Sequence, residues 1–237
     1  MSWLKAFFIT DPLVVLATIL YGSASLLVSF FDPTGRRQAS IASAWSRALL
    51  AIGGVSVHIE GLDKISRDGS YVIVSNHASY MDTPVVLANL PVQFRFLAKK
   101  GLFSIPFLGT HLARAGHIPV YRGDPRAAVK TMSRAAEVIQ EKRVSLLVFP
   151  EGGRTHDGAL RDFKEGAAYI AIKAGVPIVP VALIGTRAVL PYGSGQIQRG
   201  AVQLKIDDPI PTAGLKLHDR VRVTQQVRDR IVSMLQG

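Results

Sequence analysis

Tyr71-Val72-Ile73-Val74-Ser75-Asn76-His77-Ala78-Ser79-Tyr80-Met81-Asp82 is the stretch whose reading decides the fold. Tyr71 to Ser75 reads as a buried strand, because a short apolar run without alternation leaves no solvent face. Ser79 offers an N-cap for a helix beginning at Tyr80, with Asp82 at its third position. A strand feeding a helix through a short polar loop is the repeating unit of α/β sheets, and active sites collect in the loops after such strands. His77 lies in that loop with a carboxylate five residues later, which suits a general base and its orienting partner. Ser-x-x-Asp is equally a capping box with no catalytic meaning. On one continuous helix five residues turn by about 500°, leaving His77 and Asp82 about 140° apart. A direct bond between them therefore needs His77 outside the helix.

The interval alone proves little, since His58-Ile59-Glu60-Gly61-Leu62-Asp63 repeats it. There, Val55, Val57 and Ile59 share one face of an alternating strand, and His58 shares the other with Ser56 and Glu60. That pattern predicts a solvated histidine on an edge strand, with Asp63 in the turn beyond Gly61.

Further strand-like runs lie at 94–98, 117–120, 144–149, 177–184 and 201–206. Asp124-Pro125 opens a helix to about Arg143, with Ala128, Met132, Ala135 and Ile139 on one stripe. A second helix is predicted from Phe163 to Ala174, closed by Gly175 and Pro177. The last begins near Asp219, with Val223, Val227, Ile231 and Leu235 at four-residue spacing. Strands alternating with helices predict an α/β fold around a mixed, mainly parallel sheet.

Three more polar clusters close predicted strands. Arg122 ends Gly116 to Tyr121 and can clamp a phosphate bidentately, although a strand-end arginine is also an ordinary surface charge. Phe149-Pro150-Glu151-Gly152-Gly153-Arg154 combines glycines that admit close backbone approach, a guanidinium fork and a carboxylate able to accept a hydroxyl. The other reading is a Gly-Gly turn between solvated charges. Lys99-Lys100 follows Phe94 to Ala98; lysines there are solvated by default, but the recurrence of polar groups at strand ends points to one site.

The 237 residues are 48% hydrophobic and carry a formal net charge of +11, with a mean hydropathy of +0.25. A basic excess means nucleic acid or an anionic membrane surface, and no zinc-finger, RNP-type or Arg-rich module supports nucleic acid. Pro12 to Phe31 has no charged residue. Twenty helical residues at about 1.5 Å each match a hydrocarbon core of roughly 30 Å. Gly22, Ser23, Ser25 and Ser29 dilute its second half, so a span, a helix docked in one leaflet together with residues 39–52, and a core helix all remain open. Lys5 precedes the run while Arg36, Arg37 and Arg47 follow it, which predicts a cytoplasmic C-terminal domain at the cell membrane. The expected division is an anchoring segment at 1–38 and an α/β domain at 39–237. The absence of cysteine excludes disulfides, thiolate metal sites and an acyl-cysteine intermediate. Gly-x-Ser-x-Gly, Walker and His-Glu-x-x-His motifs are absent, as is a complete dinucleotide fingerprint.

Asn76 to Asp82, Gly116 to Arg122, Phe149 to Thr155 and Val176 to Val181 occur in the order of the four blocks of the glycerolipid acyltransferases. The chain most resembles the lysophosphatidic acid acyltransferases. The resemblance covers residues from about 40 onward, and Lys99-Lys100 and Phe163-Lys164-Glu165-Gly166 are similar to further family landmarks. It implies acyl transfer from acyl-CoA or acyl carrier protein to the sn-2 hydroxyl of lysophosphatidic acid, without a bound cofactor or metal. His77 would be the base and Asp82 its partner. Lys99, Arg122 and Arg154 would hold the phosphate, with Glu151 and Gly152 against the glycerol. Implied partners are membrane lipid and the thioester donor, not nucleic acid; oligomeric state carries no signal. Gly153 stands where the family commonly has threonine, which leaves Arg154 less constrained. Other acceptors, glycerol-3-phosphate or a lyso-aminolipid, and a non-catalytic anionic-lipid-binding protein are the alternatives.

Overall fold

The computed structural model describes residues 6–121, 124–154 and 158–237. Among these, seven strands form one sheet: β1 (Val55–Glu60), β2 (Val72–Ser75), β3 (Phe94–Lys99), β4 (Ile118–Val120), β5 (Ser145–Val148), β6 (Ile178–Ile184) and β7 (Gly200–Ile206). Their order is β1-β7-β6-β2-β5-β3-β4. All neighbours are parallel except β6 and β7, so β1 and β7 run against the other five. The sheet is mixed and mainly parallel, as the alternation of elements predicts.

Eight α-helices accompany it among the described residues: α1 (Asp11–Ser29), α2 (Arg36–Gly53), α3 (Asp82–Asn89), α4 (Leu108–Arg114), α5 (Pro125–Lys142), α6 (Gly166–Ala174), α7 (Thr186–Val189) and α8 (Arg220–Gln236). Successive residues of a buried strand face opposite ways, so the continuous apolar run of β2 feeds two cores. Ile73 packs with Leu147, Val181, Leu50 of α2 and Val85 and Val86 of α3. Val72 and Val74 pack with Leu146, Ile139 of α5, Ile170 of α6 and Val223, Val227 and Ile231 of α8. The four-residue spacing along α8 thus marks its buried stripe. His58 lies exposed on the edge strand β1, 3.5 Å from Glu60.

Two helices start later than predicted. α3 begins at Asp82 rather than Tyr80. Pro84 dictates this: in a helix starting at Tyr80 its ring would meet the Tyr80 carbonyl and its missing N–H would break the ladder. Starting at Asp82 puts Pro84 in the first turn, where no N–H is needed. Val85 accordingly donates to the Met81 carbonyl at 3.1 Å. α6 begins at Gly166 instead of Phe163, and Lys164 N–H just before it ties the chain to the Pro150 carbonyl at 3.1 Å. The short helix α4 lies where the sequence pattern marks no helix.

α1 is preceded by a π-helical turn, Ala6–Thr10, and forms a hairpin with α2. Phe8–Ser29 is one helix long and apolar enough to cross a membrane, and only 17% of its most apolar window is buried. The hairpin is nonetheless tied to the sheet. The Asp32 carboxylate accepts from Thr34 Oγ1 and from the N–H groups of Arg37 and Gln38. Arg95, buried in β3, donates to the Thr34 carbonyl at 2.8 Å. Ser25 Oγ meets His111 Nδ1 at 3.0 Å, and Arg114 donates to the Ser29 carbonyl and covers the Phe30 ring.

Candidate active site

The sheet order brings the polar clusters together. β2, β5, β3 and β4 are consecutive and parallel, so the loops after them open at one edge. His77 follows β2, Glu151 to Arg154 follow β5, and Lys99 ends β3. Arg122, which would follow β4, lies outside the described residues.

His77 stays in the loop and α3 starts beyond it, so the direct bond forms: Nδ1 lies 2.7 Å from Asp82 Oδ2. The same oxygen accepts from the N–H groups of Ala78 at 2.8 Å and Ser79 at 2.9 Å. Ser79 does not cap α3, whose N-cap is Met81, and its Oγ instead accepts from Met81 N–H; the fully buried Asp82 carboxylate holds both the loop and the imidazole. With Nδ1–H donated to Asp82, Nε2 is left as the acceptor. Phe149 stacks on the ring at 4.0 Å between centroids and fixes its plane. Asn76 prolongs the β2–β6 pairing by exchanging two hydrogen bonds with the Leu183 backbone, at 2.8 and 2.9 Å. Ser79 Oγ donates to the Leu190 carbonyl at 2.8 Å. Asn76, Ser79 and Asp82 thus each anchor the loop that carries His77.

Glu151 is turned inward. Its two oxygens accept from His77 N–H at 2.7 Å and Arg161 N–H at 3.1 Å, so it braces the loop that carries the base. Burial raises its carboxyl above the usual range, against the pull of those two N–H donors. Gly152 has a φ of +74°, and a Cβ there would meet Lys164 Nζ at 3.0 Å, so a glycine lets Lys164 reach over this turn.

Arg154 lays its guanidinium 3.2 Å from the centroid of the Tyr80 ring and 5.7 Å from that of Tyr192. Its Nη1 is buried and lacks a hydrogen-bond partner among the described residues. The hydroxyl lost at Gly153 is thus replaced as a constraint by two aromatic faces. Tyr192 stands outside every motif of the sequence, and Phe149, Tyr80 and Lys164 stand within motifs that give them no role, because each acts through a contact distant in sequence.

Lys99, His77, Arg154 and Lys164 line one cavity of about 1880 Å³. Its other walls are mainly apolar and include Ile19 and Leu26 of α1, Trp45 of α2, and Leu102 and Phe107 before α4, with Thr18, Tyr21 and Ser25 as polar groups among them. The cavity therefore joins cationic groups at the strand termini to a mainly apolar arm against the hairpin. His117 borders it as a neutral imidazole; its Nδ1 accepts from Phe96 N–H at 3.0 Å, and burial, then Arg95 and His111, lower its pKa to about 3.

A profile of the acyltransferase family matches residues 56–184, over half of the chain, with His77, Asp82, Lys99, Glu151 and Arg154 inside the match. The chain belongs to the acyltransferase family. A chloroplastic 1-acyl-sn-glycerol-3-phosphate acyltransferase of Arabidopsis thaliana is 39% identical over 77% of this chain and 51% of its own length. The chain thus spans about half the length of that relative. A 1-acyl-sn-glycerol-3-phosphate acyltransferase of Saccharomyces cerevisiae is 28% identical over 97% of this chain and 77% of its own. The crystal structure of the 1-acyl-sn-glycerophosphate acyltransferase PlsC of Thermotoga maritima superimposes with a TM-score of 0.80 at 27% identity, covering 98% of this chain and 95% of that one. That superposition takes in the hairpin as well as the acyltransferase sheet.

Proposed function

We propose that this chain moves a fatty acyl group from a thioester, acyl-CoA or acyl carrier protein, to the sn-2 hydroxyl of lysophosphatidic acid, giving phosphatidic acid. The single observation that carries this is the His77–Asp82 pair at 2.7 Å, in a cavity that joins cationic groups to a mainly apolar arm. An acceptor with one phosphate and one acyl chain matches that division.

His77 Nε2 takes the hydroxyl proton as the oxygen attacks the thioester carbonyl. The buried Asp82 carboxylate keeps the proton on Nδ1 and stabilises the imidazolium that forms. When the tetrahedral intermediate collapses, the C–S bond breaks and the imidazolium returns its proton to the thiolate. A thioester is already activated, so the enzyme supplies no nucleophile of its own. Arg154, with Nη1 unpaired, and Lys99 hold the acceptor phosphate; Arg122 joins them on sequence grounds. Glu151 acts through the backbone of His77, and Gly152 keeps the wall low beside it.

Residues 1–38 serve as the membrane-anchoring segment of the 39–237 domain, and α1 seats the apolar arm of the cavity against lipid at the cytoplasmic face of the cell membrane. The exposure of Leu13, Leu16, Ile19, Leu20 and Leu27 supports this, as does the excess of basic residues after α1.

The test is acyl transfer by purified protein to lysophosphatidic acid and to glycerol-3-phosphate, each with both thioester donors. Transfer to lysophosphatidic acid is expected; transfer only to the other acceptor, or none, overturns the proposal. His77→Ala is expected to lower turnover by about 10²- to 10⁴-fold while vesicle binding persists, whereas a lipid-binding protein without catalysis would be indifferent to that change.

A further inference from the structure

Between β3 and α4 the chain holds a costly conformation in an exposed place. Phe107 has φ +64° and ψ −54°, and Leu108 N–H donates to the Pro106 carbonyl at 2.7 Å. These mark a γ-turn of the rare strained kind, which a residue with a side chain seldom adopts. The strain fails to bury the phenyl group: Phe107 is 77% exposed, and Ile105 and Leu108 beside it are exposed as well. The loop is nevertheless firmly built. Gly109 N–H and His111 N–H donate to the carbonyls of Ile105 and Phe107 at 2.7 and 2.9 Å, and a Cβ on Gly109 would strike the Phe103 carbonyl. A rigid support that spends strain on pushing an aromatic ring into solvent has its explanation outside the protein.

We propose that the Ile105–Leu108 turn is a second lipid-inserting element, driving Phe107 into the same leaflet that receives α1. This rests on the reading of α1 as membrane-seated. Three observations identify a lipid surface as the occupant. Phe107 and Ile19 of α1 are both exposed and both border one cavity, so the turn and the helix present apolar groups to solvent around the same opening in the fold. α4 is bolted to α1 through His111 with Ser25 and Arg114 with Ser29, so turn and helix enter together. From Lys99 to Arg114 the chain has three full cations, Lys99, Lys100 and Arg114, all exposed, and no carboxylate. An apolar tip with a basic rim matches an anionic headgroup layer over hydrocarbon. The turn would then hold the mouth of the cavity at the depth from which a lipid acceptor enters.

Since the chain has no cysteine, Phe107→Cys gives a single nitroxide site in the full-length protein. The control is Gln226→Cys on α8, across the sheet from α2 and α3. In vesicles of equal parts phosphatidylcholine and phosphatidylglycerol, the label at 107 is expected to be exposed to oxygen and shielded from an aqueous relaxant, with the label at 226 the reverse. A label at 107 in water while the protein sediments with the vesicles overturns this inference alone. Protein that does not sediment overturns the membrane reading itself. Shielding that persists in detergent without lipid and rises with protein concentration means a second copy covers the turn, and also overturns it. Phe107→Gly removes phenyl and strain together. Vesicle partition is expected to fall about tenfold while thermal stability in detergent does not fall. Unchanged partition, or lost stability, refutes the proposal.

Discussion

Removing the Asp82 carboxylate is expected to cost more stability than removing His77, while both cost turnover. Asp82→Ala deprives three donors of one acceptor: His77 Nδ1 and the N–H groups of Ala78 and Ser79. Each buried N–H left without a partner costs about 1–3 kcal/mol, so the two backbone groups together predict a loss of about 2–6 kcal/mol. His77→Ala leaves both backbone bonds in place and loses one charge-assisted bond and the Phe149 stack, about 2–4.5 kcal/mol; Asp82→Ala loses that same bond in addition to the two backbone groups. Both should lower turnover by about 10²- to 10⁴-fold, the usual contribution of a general base. Asp82→Asn is intermediate in stability: its carbonyl can serve the three donors, while its NH₂ falls where Asp82 Oδ1 has no partner. Its turnover should nonetheless fall as far as that of the alanine variant, because a neutral amide does not stabilise the imidazolium. Denaturant titration in detergent alongside an acyl-transfer assay reads both quantities. If Asp82→Ala proves as stable as His77→Ala, the carboxylate does not anchor the loop. If His77→Ala keeps turnover, His77 is not the base.

Arg154→Lys keeps the charge but loses the planar stack on Tyr80, and should raise KM for the phosphorylated acceptor about tenfold with a smaller change in kcat; Tyr80→Phe, which keeps the ring face, should change neither. Glu151→Gln sets an amide NH₂ against either His77 N–H or Arg161 N–H, so a loss of about 1–3 kcal/mol and lower kcat are expected in the same two assays. His117 has its folded pKa lowered to about 3, so its contribution to stability is complete above its unfolded value near 6.5 and is lost as pH falls through that interval. At pH 5 the loss is about 2 kcal/mol at most, since water in the cavity screens the ring. Melting curves should show this acid sensitivity reduced in His117→Gln.

Local pattern carries the elements and the choice of histidine. Alternation in β1 marks His58 as an exposed edge residue, and the unbroken apolar run of β2 marks the buried strand that delivers His77; both follow from how many sheet faces a strand must hide. Even the start of α3 is local, since Pro84 excludes a helix from Tyr80, and the N-cap pattern of Ser79 alone misleads about it. By contrast, strand order depends on contacts between residues far apart in the chain. Only the tertiary structure puts β5 between β2 and β3, and so sets Glu151 against the His77 backbone and Arg154 on Tyr80. It also turns Glu151 from an outward hydroxyl acceptor into a brace, because two backbone donors reach it from separate loops. Sequence by itself determined which residues could do the chemistry; packing decided which atoms face one another, because hydrogen bonds and ring contacts form in space rather than along the chain.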